Sequence, residues 1–266
     1  GRSFEIMLDE LAKLYQSEMA GAPDNILPAE KYYHDFVRLQ EEFIQGNTAK
    51  QQTDYWVSEL EGRLPDLDLP FDRPRQPNQT FSGDTVYFEI DGDLAGKLRA
   101  VAKEQGATMF ATLLTCYLIF LRKHTDNDEV LTGIPAAGRG FPGFENVMGY
   151  FINPLTVRAR LSGEMSFSDA LSSVKKKILN AIDNQDIPFQ LIVDKLMHGR
   201  DPSRSPVFQT FFGLQRMQGD APLQELIVPG NGNAVIDWAG MKLRPYHIRQ
   251  QEGQFDITAE FAEGSE

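Results

Sequence analysis

The chain of 266 residues has one cysteine, Cys116, and so holds no disulfide framework of its own; a reducing, cytoplasmic setting is the expectation. Cys116 sits inside the apolar run Met109–Leu121 and reads as a small core hydrophobe. That run is the longest of its kind. It is too short to cross a bilayer and is bounded by Arg122 and Lys123, so no membrane span is expected. Basic residues are in deficit: 26 Lys and Arg against 38 Asp and Glu give a net charge of −12. A nucleic-acid partner needs clustered cations and is excluded on that ground, as is an anionic membrane surface.

Familiar catalytic patterns are also lacking. The four histidines, His34, His124, His198 and His247, have no second His or Cys at ligand spacing, so no metal site is expected. There is no Gly-x-Ser-x-Gly elbow, no phosphate-binding Walker loop and no Gly-x-Gly-x-x-Gly. Gly138-Arg-Gly140 opens like a glycine-rich loop but lacks the third glycine and the helix behind it. His34 and Asp35 are a base and an orienter by type, but neighbours on a helix face different ways, and they are not expected to act together. His124, after Arg122 and Lys123, reads as a cation suited to a helix C-terminus.

What the chain does have is periodicity. Phe4, Met7, Leu8, Leu11, Leu14 and Tyr15 make one stripe of a helix over 3–20, with Ser3 as the expected N-cap and the stripe expected to face a core. Helices are expected near 30–45 and 48–60. Four prolines between Leu64 and Pro77 then forbid a helix and favour an extended connector. Val86, Phe88 and Ile90 alternate as a strand does. A polar-faced helix over 93–105 ends at Gly106, and Thr108 caps an apolar helix over 109–123. Strands are expected at 130–134 and 150–160, the latter broken early by Asn153-Pro154. Ser166 and Asp169 open a helix to about 183, and Pro188 opens a short one to Leu196. Strand-like runs follow at 207–214, 224–228, 241–248 and 254–261. The pattern gives an α/β fold, more specifically an α+β sandwich with a mixed sheet.

Eight segments in one order resemble the condensation domains of nonribosomal peptide synthetases, a superfamily sharing its two-lobed fold with chloramphenicol acetyltransferase. Gly1-Arg-Ser-Phe4 resembles the stretch that follows the family's His-His-x-x-x-Asp-Gly motif, with Gly1 as the motif's last residue. Tyr33-His-Asp-Phe-Val37 is similar to Tyr-x-Asp-Phe-Ala, with Leu39 where a tryptophan is usual. Leu69-Pro-Phe-Asp-Arg-Pro-Arg75 resembles the family linker. Gly133-Ile-Pro-Ala-Ala-Gly-Arg139, Met148-Gly-Tyr-Phe-Ile-Asn-Pro-Leu155, Asn184-Gln-Asp-Ile-Pro-Phe189, Arg200-Asp-Pro-Ser-Arg-Ser-Pro-Val-Phe-Gln209 and Phe255-Asp-Ile-Thr258 are similar to five further motifs. Pro154 stands where the family has Thr.

The resemblance implies a chloramphenicol acetyltransferase-like lobe with part of a second lobe. Residues 1–64 would be the remainder of the N-terminal lobe, 65–83 the connector and 84–266 the C-terminal lobe, the whole truncated at both ends. It implies amide formation between a carrier-bound acyl or peptidyl thioester and a carrier-bound aminoacyl acceptor, in a tunnel between lobes. The catalytic histidines would precede Gly1, leaving none in this chain, and the isolated chain is expected to be inactive. No cofactor would be bound directly, since the substrates ride on the phosphopantetheine of carrier proteins. Partners would be donor and acceptor peptidyl carrier domains, the missing N-terminal lobe and an adjacent adenylation domain. Gly1 would make a tight turn. Asn153 is the first candidate for a polar tunnel contact, the alternative being a bond to local backbone. Arg139 would stay charged at the lobe interface or form a structural ion pair. Gln185, Asp186 and Arg204 would brace loops around the cleft. Tyr150 and Phe151 would form wall or core, and Asp256 and Thr258 would share one face of a strand toward the tunnel. Within the superfamily, epimerization and heterocyclization domains are the alternatives. Outside this reaction stand a non-catalytic carrier-docking lobe and an acyltransferase using soluble coenzyme A.

Overall fold

The computed structural model describes residues 1–23, 26, 28–125, 127–196, 201–215, 223, 226, 234–246, 248 and 250–264. The expected helices are present: α1 (Arg2–Ala20), α2 (Tyr33–Ile44), α3 (Asn47–Glu59), α4 (Gly92–Glu104), α5 (Met109–Thr125), α6 (Phe167–Asp183) and α7 (Phe189–Leu196). Their ends follow local chemistry. Thr108 Oγ1 accepts the Ala111 N–H at 3.1 Å, and Ser166 Oγ accepts that of Asp169 at 3.1 Å. Gly106, at φ +56°, lets the chain leave α4. Pro188 stands just before α7, and its carbonyl accepts the Leu191 N–H. Ser3 is not the N-cap of α1. Gly1 holds that place, and the Ser3 hydroxyl, within the first turn, is used by another loop.

The strands are β1 (Glu129–Ala136), β2 (Asn153–Arg160), β3 (Thr210–Gln215), β4 (Ile236–Trp238), β5 (Met241–Leu243) and β6 (Ile257–Ala262). The main sheet runs β2-β1-β3-β6. β1 and β2 are antiparallel from Glu129 opposite Arg160 to Ala136 opposite Asn153, so Asn153 begins the strand instead of breaking it. β3 is parallel to β1 on one side and to β6 on the other. The sheet is therefore mixed, and the fold is the α/β class expected. α5 and α6 lie on the sheet, α4 packs on α5, and α3 packs on α7. Leu114, Leu118, Leu121, Leu155, Val157, Leu171, Val174 and Phe212 fill the core between them.

At Gly133 the packing is close. A Cβ there would meet the rings of Phe208 and Phe211. Val207, buried and β-branched, takes φ +67° in a three-residue turn closed by Phe208 N–H to Pro206 O at 2.8 Å, a rare and costly geometry.

Several expectations need correction. Residues 84–90 join no strand ladder, although Ser82 makes an isolated bridge with Glu252. Among the described residues of the run 241–248, Met241–Leu243 is paired, with β4, in a hairpin whose turn places Ala239 and Gly240 at positive φ. The run 224–228 falls almost wholly outside the described residues, as do Arg200, His198 and His247. Most surprising is α1. Of the stripe expected to face a core, Phe4, Met7, Leu11, Leu14 and Tyr15 are exposed and Leu8 is half-buried, while Ile6 is the helix's buried residue. Among the described residues no single helix is long and apolar enough to cross a membrane.

Candidate functional site

Two turns carry most of the residues singled out in the sequence. The first is the loop between β1 and β2. Gly138, at φ +65°, lies directly against the Phe151 carbonyl, where a Cβ would collide with backbone. Its neighbour Arg139 points inward and, among the described residues, pairs with no carboxylate. Its Nη1 donates to the carbonyls of Phe144 and Val147, the latter at 2.8 Å, and Nη2 donates to Ser3 Oγ at 3.1 Å. The guanidinium lies 4.0 Å from the centre of the Phe151 ring. Burial first, then the nearby Arg2 cation, pull its pKa below the usual arginine value. The ion pair offered as an alternative for Arg139 is not formed; carbonyl dipoles and a ring face hold the charge instead.

Through this loop the first turn of α1 is fastened. Ser3 Oγ donates to Gly149 O at 2.8 Å and accepts the Gly149 N–H at 3.1 Å. Arg2 reaches Asn146 Oδ1 at 2.8 Å. Tyr33 OH donates to Tyr150 O at 2.6 Å. Beneath lies a small aromatic core of Phe36, Phe144, Val147 and Phe151, flanked by Tyr33 and Phe141. Phe151 is thus core, while Tyr150, read with it as wall or core, projects outward at 73% exposure. Met148 and Ile152, two residues to either side of Tyr150, are exposed too, as are Phe4 and Met7. Gly1 is the N-cap of α1.

The second turn joins α6 to α7, and two amide side chains grip it from opposite sides. Asn153 Nδ2 donates to Gln185 O and Ile187 O, both at 2.8 Å, and Asn153 Oδ1 accepts the Phe189 N–H at 2.9 Å. From α3, Gln52 Oε1 accepts the N–H groups of Asp186 at 3.0 Å and Ile187 at 3.1 Å, while Nε2 donates to Asp186 Oδ2 at 3.0 Å. Trp56, one turn along α3, donates its indole N–H to Asn184 O at 2.8 Å. Asn153 is thus saturated by backbone, not of its own loop but of a turn 32 or more residues away. Asp186 Oδ1 lies where a Cβ on Gly140 would be only 3.0 Å from it, so the two turns touch.

Gln52 escaped the sequence reading. A glutamine within an amphipathic helix looks solvent-facing, and its partners lie more than 130 residues away.

The remaining candidates lie elsewhere. Arg204 pairs with Asp66 at 2.6 Å, tying the connector to the segment before β3. Asp256 precedes β6 and makes a two-pronged ion pair with Arg75 of the connector, which raises the arginine's pKa. Thr258 lies on β6 and is exposed, so the two do not share an environment. His34 approaches Asp35 to 3.4 Å, closer than helix geometry suggested, but both lie at the surface. His124 is engaged with the Phe120 carbonyl at 3.0 Å. Along the connector runs an open cleft of about 940 Å³, lined by Arg63, Asp68, Phe71, Arg73 and Arg75 among others.

The profile of the condensation-domain family matches residues 1–266. The chain belongs to the condensation-domain family. Among curated relatives, bacitracin synthase 3 of Bacillus licheniformis is 38% identical over all of this chain, which spans 4% of that protein. Surfactin synthase subunit 1 of Bacillus subtilis is 34% identical over 97% of the chain, which spans 7% of it. The condensation-domain chain therefore corresponds to a small part of these relatives. Among solved structures, a four-domain nonribosomal peptide synthetase bound to AMP and glycine superposes on 82% of this chain and 17% of its own, with TM-score 0.77 and 24% identity. The X-domain complexed with OxyB from teicoplanin biosynthesis covers 97% and 54%, with TM-score 0.78 and 20% identity. At these identities the structures establish the fold of the condensation-domain chain.

Proposed function

We propose that this chain is the portion of a peptide synthetase condensation domain that follows the catalytic histidine motif, and that it builds one wall of the site where an amide bond forms. In that reaction the amine of a carrier-bound aminoacyl group attacks the carbonyl of a donor thioester. The C–N bond forms, the C–S bond breaks, and the phosphopantetheine thiol of the donor carrier leaves with the proton lost by the amine. A thioester is already activated, so holding two tethered reactants in line does much of the work. The histidine ahead of Gly1 would act as base or as an electrostatic and orienting group.

The observation carrying this reading is the fastening of the residue-1 end of α1. Ser3, Arg139 and Gly149 form one hydrogen-bonded unit there, and Phe4, Met7, Met148, Tyr150 and Ile152, close to it in the chain, are exposed. These exposed apolar side chains would be a wall for apolar substrate parts. Arg139 is a positioning residue in this scheme, acting through Ser3. Gln185 and Asp186 act through the two touching turns. The carrier domains bring the phosphopantetheine, and an adenylation domain loads the acceptor. Residues 1–64, 65–83 and 84–266 are the N-terminal remainder, connector and C-terminal lobe of this arrangement.

The test is reconstitution. The chain, extended upstream to a full domain, is mixed with one carrier loaded with an acyl group and one with an amino acid, and the carriers are weighed intact. Transfer of the acyl mass to the acceptor by the extended protein, and none by residues 1–266 alone, is expected. Turnover by the short chain, or acyl transfer only from soluble coenzyme A thioesters, overturns the assignment. Inversion of the acceptor's stereocentre without mass transfer moves it to epimerization.

A further inference from the structure

We propose that one water molecule is built into the chain beneath the turn between α6 and α7, held by Thr156 of β2. Trp56 and Leu60 of α3, Thr156, and Ile187, Phe189 and Ile192 around the turn line a small cavity there. About 10 Å³ of it is open to the centre of a water molecule, which is room for one. Thr156 is 3% exposed, and its Oγ1 is buried with no hydrogen-bond partner among the described residues. Buried hydroxyls are costly unless bonded, and those that the protein leaves open are completed by ordered water.

Two lines of geometry aim the Thr156 side chain at this cavity. Thr156 lies opposite Gly133 in the ladder of β1 and β2, and opposed residues share a face. A Cβ on Gly133 would meet the Phe208 ring, and Phe208 lies against Phe189 of the cavity wall with ring centroids 5.2 Å apart. Along β2, alternation puts Thr156 on the same face as Arg158. Arg158 Nη1 donates to Glu59 O and Glu61 O at the end of α3, the helix that brings Trp56 and Leu60 to the wall. Thr156 therefore points between α3 and the turn, where the cavity is.

A buried water needs two to four polar partners. Pro135 stands opposite Pro154, and neither has an N–H, so theirs is a non-hydrogen-bonded pair. Pair type alternates along an antiparallel ladder, so Gly133 and Thr156, two residues on, are of the same type. The Thr156 N–H and C=O thus turn away from β1, and β2 is the last strand on that side of the main sheet. Hydroxyl and backbone of this one residue supply the donors and acceptors that a water requires, while the other side chains of the wall are apolar. The water fills the space between the outer edge of β2 and the turn that Asn153 and Gln52 grip.

Two magnetic resonance readings test this. In the unsubstituted chain with labelled isoleucine methyls, the δ-methyls of Ile187 and Ile192 should show cross-relaxation to water. Silence at both means a dry cavity and overturns the proposal, whatever any variant does. Thr156→Val matches threonine in shape and removes the hydroxyl; its folding is checked by circular dichroism. In the folded variant the cross-relaxation should vanish, and persistence at full strength would put the water on other groups and overturn its assignment to Thr156. Oxygen-17 relaxation dispersion counts long-lived waters and is blind to hydroxyl protons. The count should fall by about one from parent to variant. Loss of the methyl signal with an unchanged count would trace that signal to the hydroxyl itself and would also overturn the proposal.

Discussion

Gln52 offers the sharpest test of how this site is held. Replacing it by Leu keeps the volume and the helix but removes the acceptor of two N–H groups, those of Asp186 and Ile187, and one donor to the Asp186 carboxylate. Gln52 is buried at 5% exposure, so water does not readily replace what is lost. Each buried donor left without a partner costs about 1–3 kcal/mol. The carboxylate, which is half-buried, adds less. Against this stands the gain from burying an apolar side chain in place of an amide, about 1–2 kcal/mol. The net loss should be about 2–4 kcal/mol, which lowers Tm by roughly 5–15 °C at this size. Urea titration followed by tryptophan fluorescence measures it, with Trp56 one turn away reporting on the same turn. Gln52→Glu separates the two halves of the argument. It keeps acceptors for the N–H groups but sets a like charge against Asp186, so its defect should be large at neutral pH and shrink on acidification as the introduced Glu takes up a proton. A midpoint for Gln52→Leu within about 0.5 kcal/mol of the parent would refute the clamp.

Asn153→Asp keeps the acceptor for Phe189 N–H but turns carboxylate oxygen toward the carbonyls of Gln185 and Ile187; a loss of about 2–4 kcal/mol is expected in the same titration. Glu129 lies between Arg158 at 2.9 Å and Arg160 at 2.8 Å, and hydrogen bonding to Arg158 foremost holds its pKa below the ordinary 4.5. A depressed carboxylate pKa gives stability that is complete above about pH 4.5 and is lost as pH falls through the folded value. Glu129→Gln should therefore lower stability at pH 7 and flatten its decline on acidification; parallel curves would count against the pairing. Gly133→Ala should cost about 1–3 kcal/mol through its clash with Phe208 and Phe211, and a companion Phe208→Leu should recover part of it.

Much of the fold was legible because its signals are local. The stripe of Val174 and Ile178, the caps at Thr108 and Ser166, and Gly106 at the end of α4 each act within one or two turns of chain. The strand at 86–90 was misread for the opposite reason. Alternation states that a segment suits a sheet, while a ladder needs a partner, and β preference follows context. Helix α1 teaches a related lesson. Its stripe correctly marks a face that suits burial, yet periodicity says nothing about what lies across from it. At the site, the motif positions were visible but their roles were not. For Asn153 the sequence leaves a tunnel contact and a bond to local backbone both open, and its amide grips the backbone of a distant turn; Asp256 is held by Arg75. Amides and carboxylates choose partners by proximity in space, and one sequence carries no record of that.

The grip of α3 on the turn after α6 has a consequence for how the chain could be cut. Gln52 and Trp56 bond that turn, Lys177 pairs with Glu59 at 2.5 Å, Arg158 donates to Glu59 O and Glu61 O, and Trp56 and Leu60 are buried in the main core. None of these ties passes through the proline-rich stretch. A protease nick there would sever the polypeptide without parting its halves, and the two pieces, made separately, would be suited to find each other again as a split protein.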